Sequence, residues 1–267
     1  DPQQGINDLN NNVVKFIGDP QTRIEEDFLR IVRYLRFAIQ YNSLVDDSTV
    51  QAIKLKLNGI KNLSKERILS ELTKILKLDN FYNIINNPEL LKIFTLIFPE
   101  LKNTNRLKNF KLIKNYVENS KILFLSILSV DLKNNHEYFS HKYNISNNLK
   151  EKLNLIAKNY INIDLNKNFF SKNLKKQIYY LGKENLYLLN MLYFSNNKKI
   201  KLNDYLKVFN DIKKIDVPKL PYDGNFLKDR GMKEGALIGK TLKLIEKEWL
   251  DNNFNISEDK VLEIIKS

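Results

Sequence analysis

The sequence predicts an all-α protein, an elongated helical array. Three observations carry this. Apolar residues recur at three- and four-residue spacings along nearly the whole chain. Alternating runs of the kind a half-buried strand needs are short. No Asn-Gly or Asp-Gly turn joins two such runs; Asp223-Gly224 stands beside prolines instead.

The elements follow in order. Pro2, Gly5, Gly18 and Pro20 punctuate the start, around a short segment, Val13–Ile17, that reads as strand or loop. Thr22 and Glu25 have capping-box spacing, so a helix is predicted from about 22 to 41. The adjacent Asp46-Asp47 reads as a cap for a helix over 47–58. Ser64 is placed to cap another over 64–78. Pro88 and Pro99 mark boundaries. Residues 105–215 read as several helices joined by loops at Lys133–His136 and Ser195–Lys199. Pro218 and Pro221 open a last segment holding four of the eight glycines. Helices over about 237–250 and 257–266 close the chain.

Composition narrows the class. With 43% apolar residues among 267, the chain can bury a sizeable core and is not a disordered polymer. It has no cysteine, which excludes disulfides, thiolate metal sites and a cysteine nucleophile. Two histidines exclude a His-rich metal cluster. No apolar run approaches the roughly 20 residues of a membrane span, and no basic-then-apolar leader opens the chain. A cytoplasmic protein with no membrane attachment is expected. The chain begins with Asp1 rather than Met, so a preceding portion is expected.

The net charge is +13, and it is almost all lysine. Arginine occurs at only seven positions, four of them within residues 23–36. A sequence that favours lysine keeps arginine mainly where a planar fork of donors is needed. On a 100° wheel, Ile24, Phe28, Ile31, Val32, Leu35, Ala38 and Ile39 form a core-facing stripe. Arg23, Asp27, Arg30 and Tyr34 flank it. Asp27 and Arg30 are three apart and would share a face. A carboxylate beside a guanidinium can match the Watson–Crick edge of a base, accepting from an amine and donating to ring nitrogen and carbonyl. The alternative is a plain intrahelical ion pair, a common arrangement worth about 0.2–0.5 kcal/mol.

The order of residues adds a resemblance. Gly5-x-x-Asp8-Leu9, then Gly18-Asp19-Pro20-x-x-Arg23-Ile24-x-Glu26-Asp27-x-x-Arg30-Ile31-x-Arg33-x-x-Arg36-Phe37, resembles the class II tRNA nucleotidyltransferases (CCA-adding enzymes) and the related bacterial poly(A) polymerases. Leu63-Ser64-Lys65-Glu66-Arg67-Ile68-x-x-Glu71-Leu72 resembles their later neck motif. Pro221, Gly224, Leu227, Gly231, Gly235, Gly239, Glu246 and Trp249 are similar to tails of α-proteobacterial members, with Ala236 where a proline is usual. Residues of about 80–210 match only in helical character.

The resemblance implies residues 1–20 as the end of an α/β catalytic head, 21–80 as a nucleotide-selecting neck, 81–215 as a helical body and 216–267 as a tRNA-binding tail. It implies that Asp27 and Arg30 select the incoming CTP or ATP without a nucleic-acid template. Arg33 and Arg36 would hold the pocket or the triphosphate. Gly5 and Asp8 would shape the joint between head and neck, and Glu26, Glu66, Arg67 and Glu71 would brace the neck. Gly231, Gly235 and Gly239 would let the tail backbone approach RNA; the alternative is ordinary helix capping.

The family's phosphoryl transfer uses Mg²⁺ held by carboxylates of a Gly-Ser…Asp-x-Asp motif on the head. The sequence contains no Gly-Ser dipeptide and no two aspartates two residues apart. No catalytic or metal-ligating residue is therefore assigned. The chain is expected to be the rear part of such an enzyme, from a split gene or a trimmed piece, and inactive without a separate head chain. The competing expectations are a poly(A) polymerase fragment and a non-catalytic helical RNA-binding module. His136 and His141 lack the spacing of a helical metal pair and read as surface or packing residues, and Trp249 is predicted to pack the last helices.

Overall fold

The computed structural model describes residues 4–117, 120–166, 168–197, 199–233 and 235–266; Asp1 and Pro2 lie outside them. The described residues contain helices and no strand. Val13 forms one isolated parallel bridge with Leu44, and the Val14 amide donates to Ser43 Oγ at 2.9 Å. The 13–17 segment is thus a connection tied to the chain at Ser43 and Leu44. It follows a short helix, α1 (Gly5–Asn10).

The helix expected over 22–41 is two helices, α2 (Pro20–Glu26) and α3 (Leu29–Gln40). Asp19 caps α2, accepting from the Thr22 amide and hydroxyl, each at 2.8 Å, with Pro20 at the first helical position. Thr22 is therefore a donor to the cap and not the cap, and Glu25 pairs instead with Lys56 at 2.5 Å. The break falls at Asp27, whose backbone is extended (φ −158°, ψ 108°) and whose Oδ1 accepts from the Leu29 amide at 3.0 Å. Beside it the Phe28 ring lies on the backbone of Gly59, where a Cβ would come within 2.1 Å of ring carbons. The apolar stripe nevertheless reaches the core as the wheel requires: Ile24, Ile31, Val32, Leu35, Ala38 and Ile39 are buried, and Phe28 is half-buried.

Next come α4 (Asp47–Lys56), a 3-10 turn (Leu57–Asn62) and α5 (Lys65–Leu76), the last capped by Ser64 through the Arg67 amide. Asp46 caps α4 through the Ser48 and Thr49 amides at 3.1 and 3.0 Å. Hydrogen bonds, first that of the Thr49 hydroxyl, hold the Asp46 carboxyl below the usual carboxylate range. A group shifted this way stabilises the fold above its unfolded pKa and stops doing so as pH falls through the folded value. Asp46→Ala should therefore cost about 1 kcal/mol near neutrality. Thermal melts of the two proteins should converge in acid.

The body continues through α6 (Pro88–Ile97), α7 (Arg106–Ile113), α8 (Lys121–Ser129), α9 (Asn135–Tyr143), α10 (Asn147–Leu165), α11 (Leu174–Asn196) and α12 (Leu202–Lys214). Two expected loops are shorter than predicted, since His136 lies in α9 and Ser195 in α11. His136 is buried and His141 exposed. One continuous core runs from Ile24 to Ile212. Phe81, Phe110 and Phe124 lie at its middle, with ring centroids 4.9 and 5.1 Å from Phe124. Arg106 is buried across the end of α8 and donates to the Ile127 and Val130 carbonyls at 2.9 and 2.6 Å.

The tail comprises α13 (Gly224–Asp229), α14 (Ala236–Asp251) and α15 (Glu258–Lys266), around a separate small core of Leu227, Ile238, Ile245 and Val261. It docks on the first half of α11. Trp249 is buried between Tyr179 and Phe254, and Lys176 pairs with Asp251 at 2.6 Å. Gly182 (φ 77°, ψ 154°) kinks α11 just beyond that contact.

Candidate functional site

Packing of α3 against α5 builds the site, because it lays the two motif segments side by side. Glu71 is the centre, with a side chain only 3% exposed. Arg36 Nε stands 3.0 Å from it, Lys74 Nζ 2.8 Å and Arg33 Nε 3.6 Å. The Arg36 guanidinium also lies 4.2 Å from the centroid of the Phe37 ring, a cation–π contact. One buried carboxylate thus faces two arginines, closely on the mostly buried Arg36 and more loosely on the half-exposed Arg33. Buried charge is retained only when paired in this way.

One turn earlier on α5, Arg67 Nη2 stands 2.9 Å from Asp27 Oδ2. Both oxygens of Asp27 are engaged, since Oδ1 takes the Leu29 amide. Arg30 Nη1 lies 2.8 Å from Glu26 Oε2, and Arg23 Nη1 lies 2.9 Å from Glu26 Oε1. The hydrogen bond from Arg23, with the charges of Arg23 and Arg30, holds the Glu26 carboxyl below its ordinary range. The expected Asp27–Arg30 contact along one helix is replaced by these two pairings. Its cause is the break at Asp27, which takes that residue off the helical register that three-residue spacing requires. The result is one face on which five arginines and Lys74 meet three carboxylates.

Glu66 is exposed and joins none of these pairs among the described residues; it lines a separate polar groove with Glu137 and His141. Gly5 and Asp8 line a 280 Å³ groove with Phe37 and Tyr41 of α3, and Asp8 pairs with Lys15 at 2.8 Å. The tail glycines are not gathered with the arginine face. Gly231 (φ 88°) follows α13, where the Met232 amide closes back on Leu227 O at 3.1 Å. Gly235 (φ 139°) precedes α14, and Gly239 lies on its exposed side. A Cβ at any of the three would meet open space. Two residues of the face had no site role assigned from sequence: Arg23, noted only on the flank of the stripe and in the motif, and Lys74. Their spacings of three from Glu26 and Glu71 were the available signal.

Among the described residues no three His, Asp or Glu side chains are grouped to hold a metal ion. The carboxylates of the face are each engaged by arginine or lysine, so this donor set does not fit a magnesium centre.

Residues 45–104 match the family described as "Probable RNA and SrmB-binding site of polymerase A". The CCA-adding enzyme of Staphylococcus haemolyticus is 30% identical over 273 aligned positions, covering 97% of this chain and 65% of that protein. The chain is similar to the CCA-adding enzymes along nearly its whole length. It spans about two thirds of the length of that relative. The CCA-adding enzyme of Staphylococcus epidermidis is 37% identical over 93 residues, 35% of this chain and 23% of that one. Solved CCA-adding enzymes share the fold. That of Bacillus stearothermophilus, in complex with CTP, superposes with a TM-score of 0.70 at 15% identity, over 100% of this chain and 68% of that one. That of Thermotoga maritima, complexed with tRNA, gives 0.61 at 18%, over 99% and 66%. Similarity to the CCA-adding family therefore runs through the middle helices, where the sequence alone offered only helical character.

Proposed function

We propose that this chain is the nucleotide-selecting and tRNA-binding part of a CCA-adding tRNA nucleotidyltransferase, working in the cytoplasm on CTP, ATP and tRNA. The single observation that carries this is the joining of the two motif segments into one arginine face, in a chain similar to a CCA-adding enzyme along nearly its whole length. Residues 1–20 end the head, 21–80 form the neck, 81–215 the body and 216–267 the tail. Asp27 accepts from the exocyclic amine of the incoming base, and Arg30 donates to its ring nitrogen or carbonyl. Arg67 and Glu26 hold those two groups in place before the nucleotide arrives. Glu71 holds Arg33 and Arg36 toward the triphosphate. Gly5 and Asp8 shape the joint to the head, Glu66 supports the neck from outside the cluster, and Gly231, Gly235 and Gly239 admit the RNA backbone.

Mg²⁺ and its carboxylate ligands belong, in this reading, to a separate catalytic head, so the chain alone adds no nucleotide. The net charge of +13 suits RNA, whose phosphates dominate affinity and make it salt-dependent. A poly(A) polymerase piece is the second reading, favoured by the description of the family matched over 45–104.

Equilibrium dialysis with labelled CTP and ATP tests the selector. Arg30→Ala should weaken both nucleotides by about 10- to 100-fold, the worth of one bidentate base contact, with tRNA binding unchanged. Unchanged nucleotide affinity in the variant would remove Arg30 from the role. No nucleotide binding by the wild-type chain, with tRNA still bound, would leave a helical RNA-binding module. Incorporation into a tRNA lacking its CCA end, with and without an added head, separates CCA from A-only addition.

A further inference from the structure

A second cleft lies between the 3-10 turn at Leu57–Asn62, the start of α5, α6 and α9. Its volume is 470 Å³. Ile60, Leu63, Ile68 and Ile97 wall it, and Leu96 stands at its rim, 42% exposed. Lys61, Lys65 and Lys142 line it, and no carboxylate does. Lys142 is anchored at 2.8 Å on the buried Glu100. Lys61 and Lys65 are exposed and form no ion pair among the described residues. Lys65 also lines the neighbouring 840 Å³ groove, with His141, Asn144, Asn147 and Lys150, beside Glu66 and Glu137.

We infer that cleft and groove form one track for a single RNA strand, in which an unpaired base enters the apolar cleft and its phosphates lie on Lys61 and Lys65. The inference rests on the RNA-binding reading above and deepens it. A base has apolar faces and brings its own negative charge on a short tether. An apolar hole whose charged lining residues are all cations satisfies both needs at once. The groove that continues from Lys65 carries amide, imidazole, hydroxyl and ammonium donors, the groups that bond phosphate and ribose oxygens, alongside the carboxylates of Glu66 and Glu137, which place the phosphates on its Lys65 and Lys150 sides. Ten of the residues lining the cleft fall within the segment 45–104. An acidic peptide would share the charge preference but not the need for a run of donors along the groove.

Fluorescence anisotropy across a salt series tests this with two probes, a blunt RNA hairpin and the same hairpin carrying a four-nucleotide 3′ tail. The wild-type chain should bind the tailed hairpin about tenfold more tightly, the scale of one base–side-chain contact. Leu96→Glu should erase that preference and leave blunt binding within about twofold. Lys61→Ala with Lys65→Ala should reduce the slope of log affinity against log salt by about 1.4, or 0.7 per lost single-strand phosphate contact. A 4-thiouridine in the tail should crosslink to peptides carrying Leu96 or Tyr143. Circular dichroism melts establish that the variants fold. Equal binding of both hairpins, an unaffected Leu96→Glu, or crosslinks elsewhere would overturn the track while leaving tRNA binding intact. Competition at the cleft by polyglutamate but not by RNA would overturn it in favour of a protein partner. Failure of the wild-type chain to bind any RNA would overturn both readings.

Discussion

Glu71→Ala is expected to lower stability by about 2–3 kcal/mol. Removing one partner of a buried pair costs about 3–5 kcal/mol when the remaining charge is trapped. Here the cost is discounted because Arg33 and Lys74 are half exposed and can turn to water; Arg36, only 20% exposed, cannot do so as freely. For a chain of this size the melting temperature should fall by roughly 4–12 °C, read by circular dichroism. Glu71→Gln keeps the volume and one acceptor, and should recover part of the loss. Under the proposed function, affinity for CTP and ATP falls with it, since Arg33 and Arg36 lose their anchor. A loss below about 1 kcal/mol, within the range of a surface ion pair, would mean other contacts hold these arginines.

Arg106→Met should cost more, about 3–5 kcal/mol. The side chain is 7% exposed, and its hydrogen bonds go to carbonyl and amide oxygens. Its Nη1 donates to the Ile127 and Val130 carbonyls, its Nε donates to Asn196 Oδ1 at 2.8 Å, and the guanidinium lies 5.6 Å from the Tyr160 ring. Burial pulls its pKa below the ordinary arginine value, opposed by Tyr160 and Asp131. Methionine fills the space but strands three acceptors, and each unmet buried polar group costs about 1–3 kcal/mol. Arg106→Lys should recover only part, because one ammonium cannot span all three acceptors. Chemical denaturation followed by far-ultraviolet circular dichroism gives the number. A loss under about 1 kcal/mol would show that water replaces the guanidinium.

The same arginine marks how far sequence reasoning reached. The principle that a lysine-rich chain keeps arginine for forked contacts led to the neck cluster. Applied to the solitary Arg106, it would have located the pin under α8 as well. Two caps were legible: Asp46 and Ser64 each take the amides expected of them. The interruption at Asp27 was not, because the apolar stripe keeps its period across it and neither glycine nor proline announces it. It depends on Phe28 meeting Gly59, a contact that only the folded chain creates. The ion pairs of the face were hidden for a related reason. Arg67 is 40 residues from Asp27, and which side chains meet depends on how α3 and α5 cross. Motif order placed the right residues in the site, while their partners had to come from packing.

The docking of the tail has a consequence for anyone watching this protein unfold. The chain has one tryptophan, and it sits in the seam between α14 and the first half of α11, not in the large core. Intrinsic tryptophan emission is therefore a gauge of the seam alone. Backbone ellipticity is weighted toward the body, which holds most of the helices. With the two cores separated and α11 kinked at Gly182 just beyond the docking contact, the seam can open as a sub-global unit below the free energy of whole-chain unfolding. The two signals would then trace different transitions, and a single midpoint taken from fluorescence would describe the tail's attachment rather than the fold that carries Glu71 and Arg106.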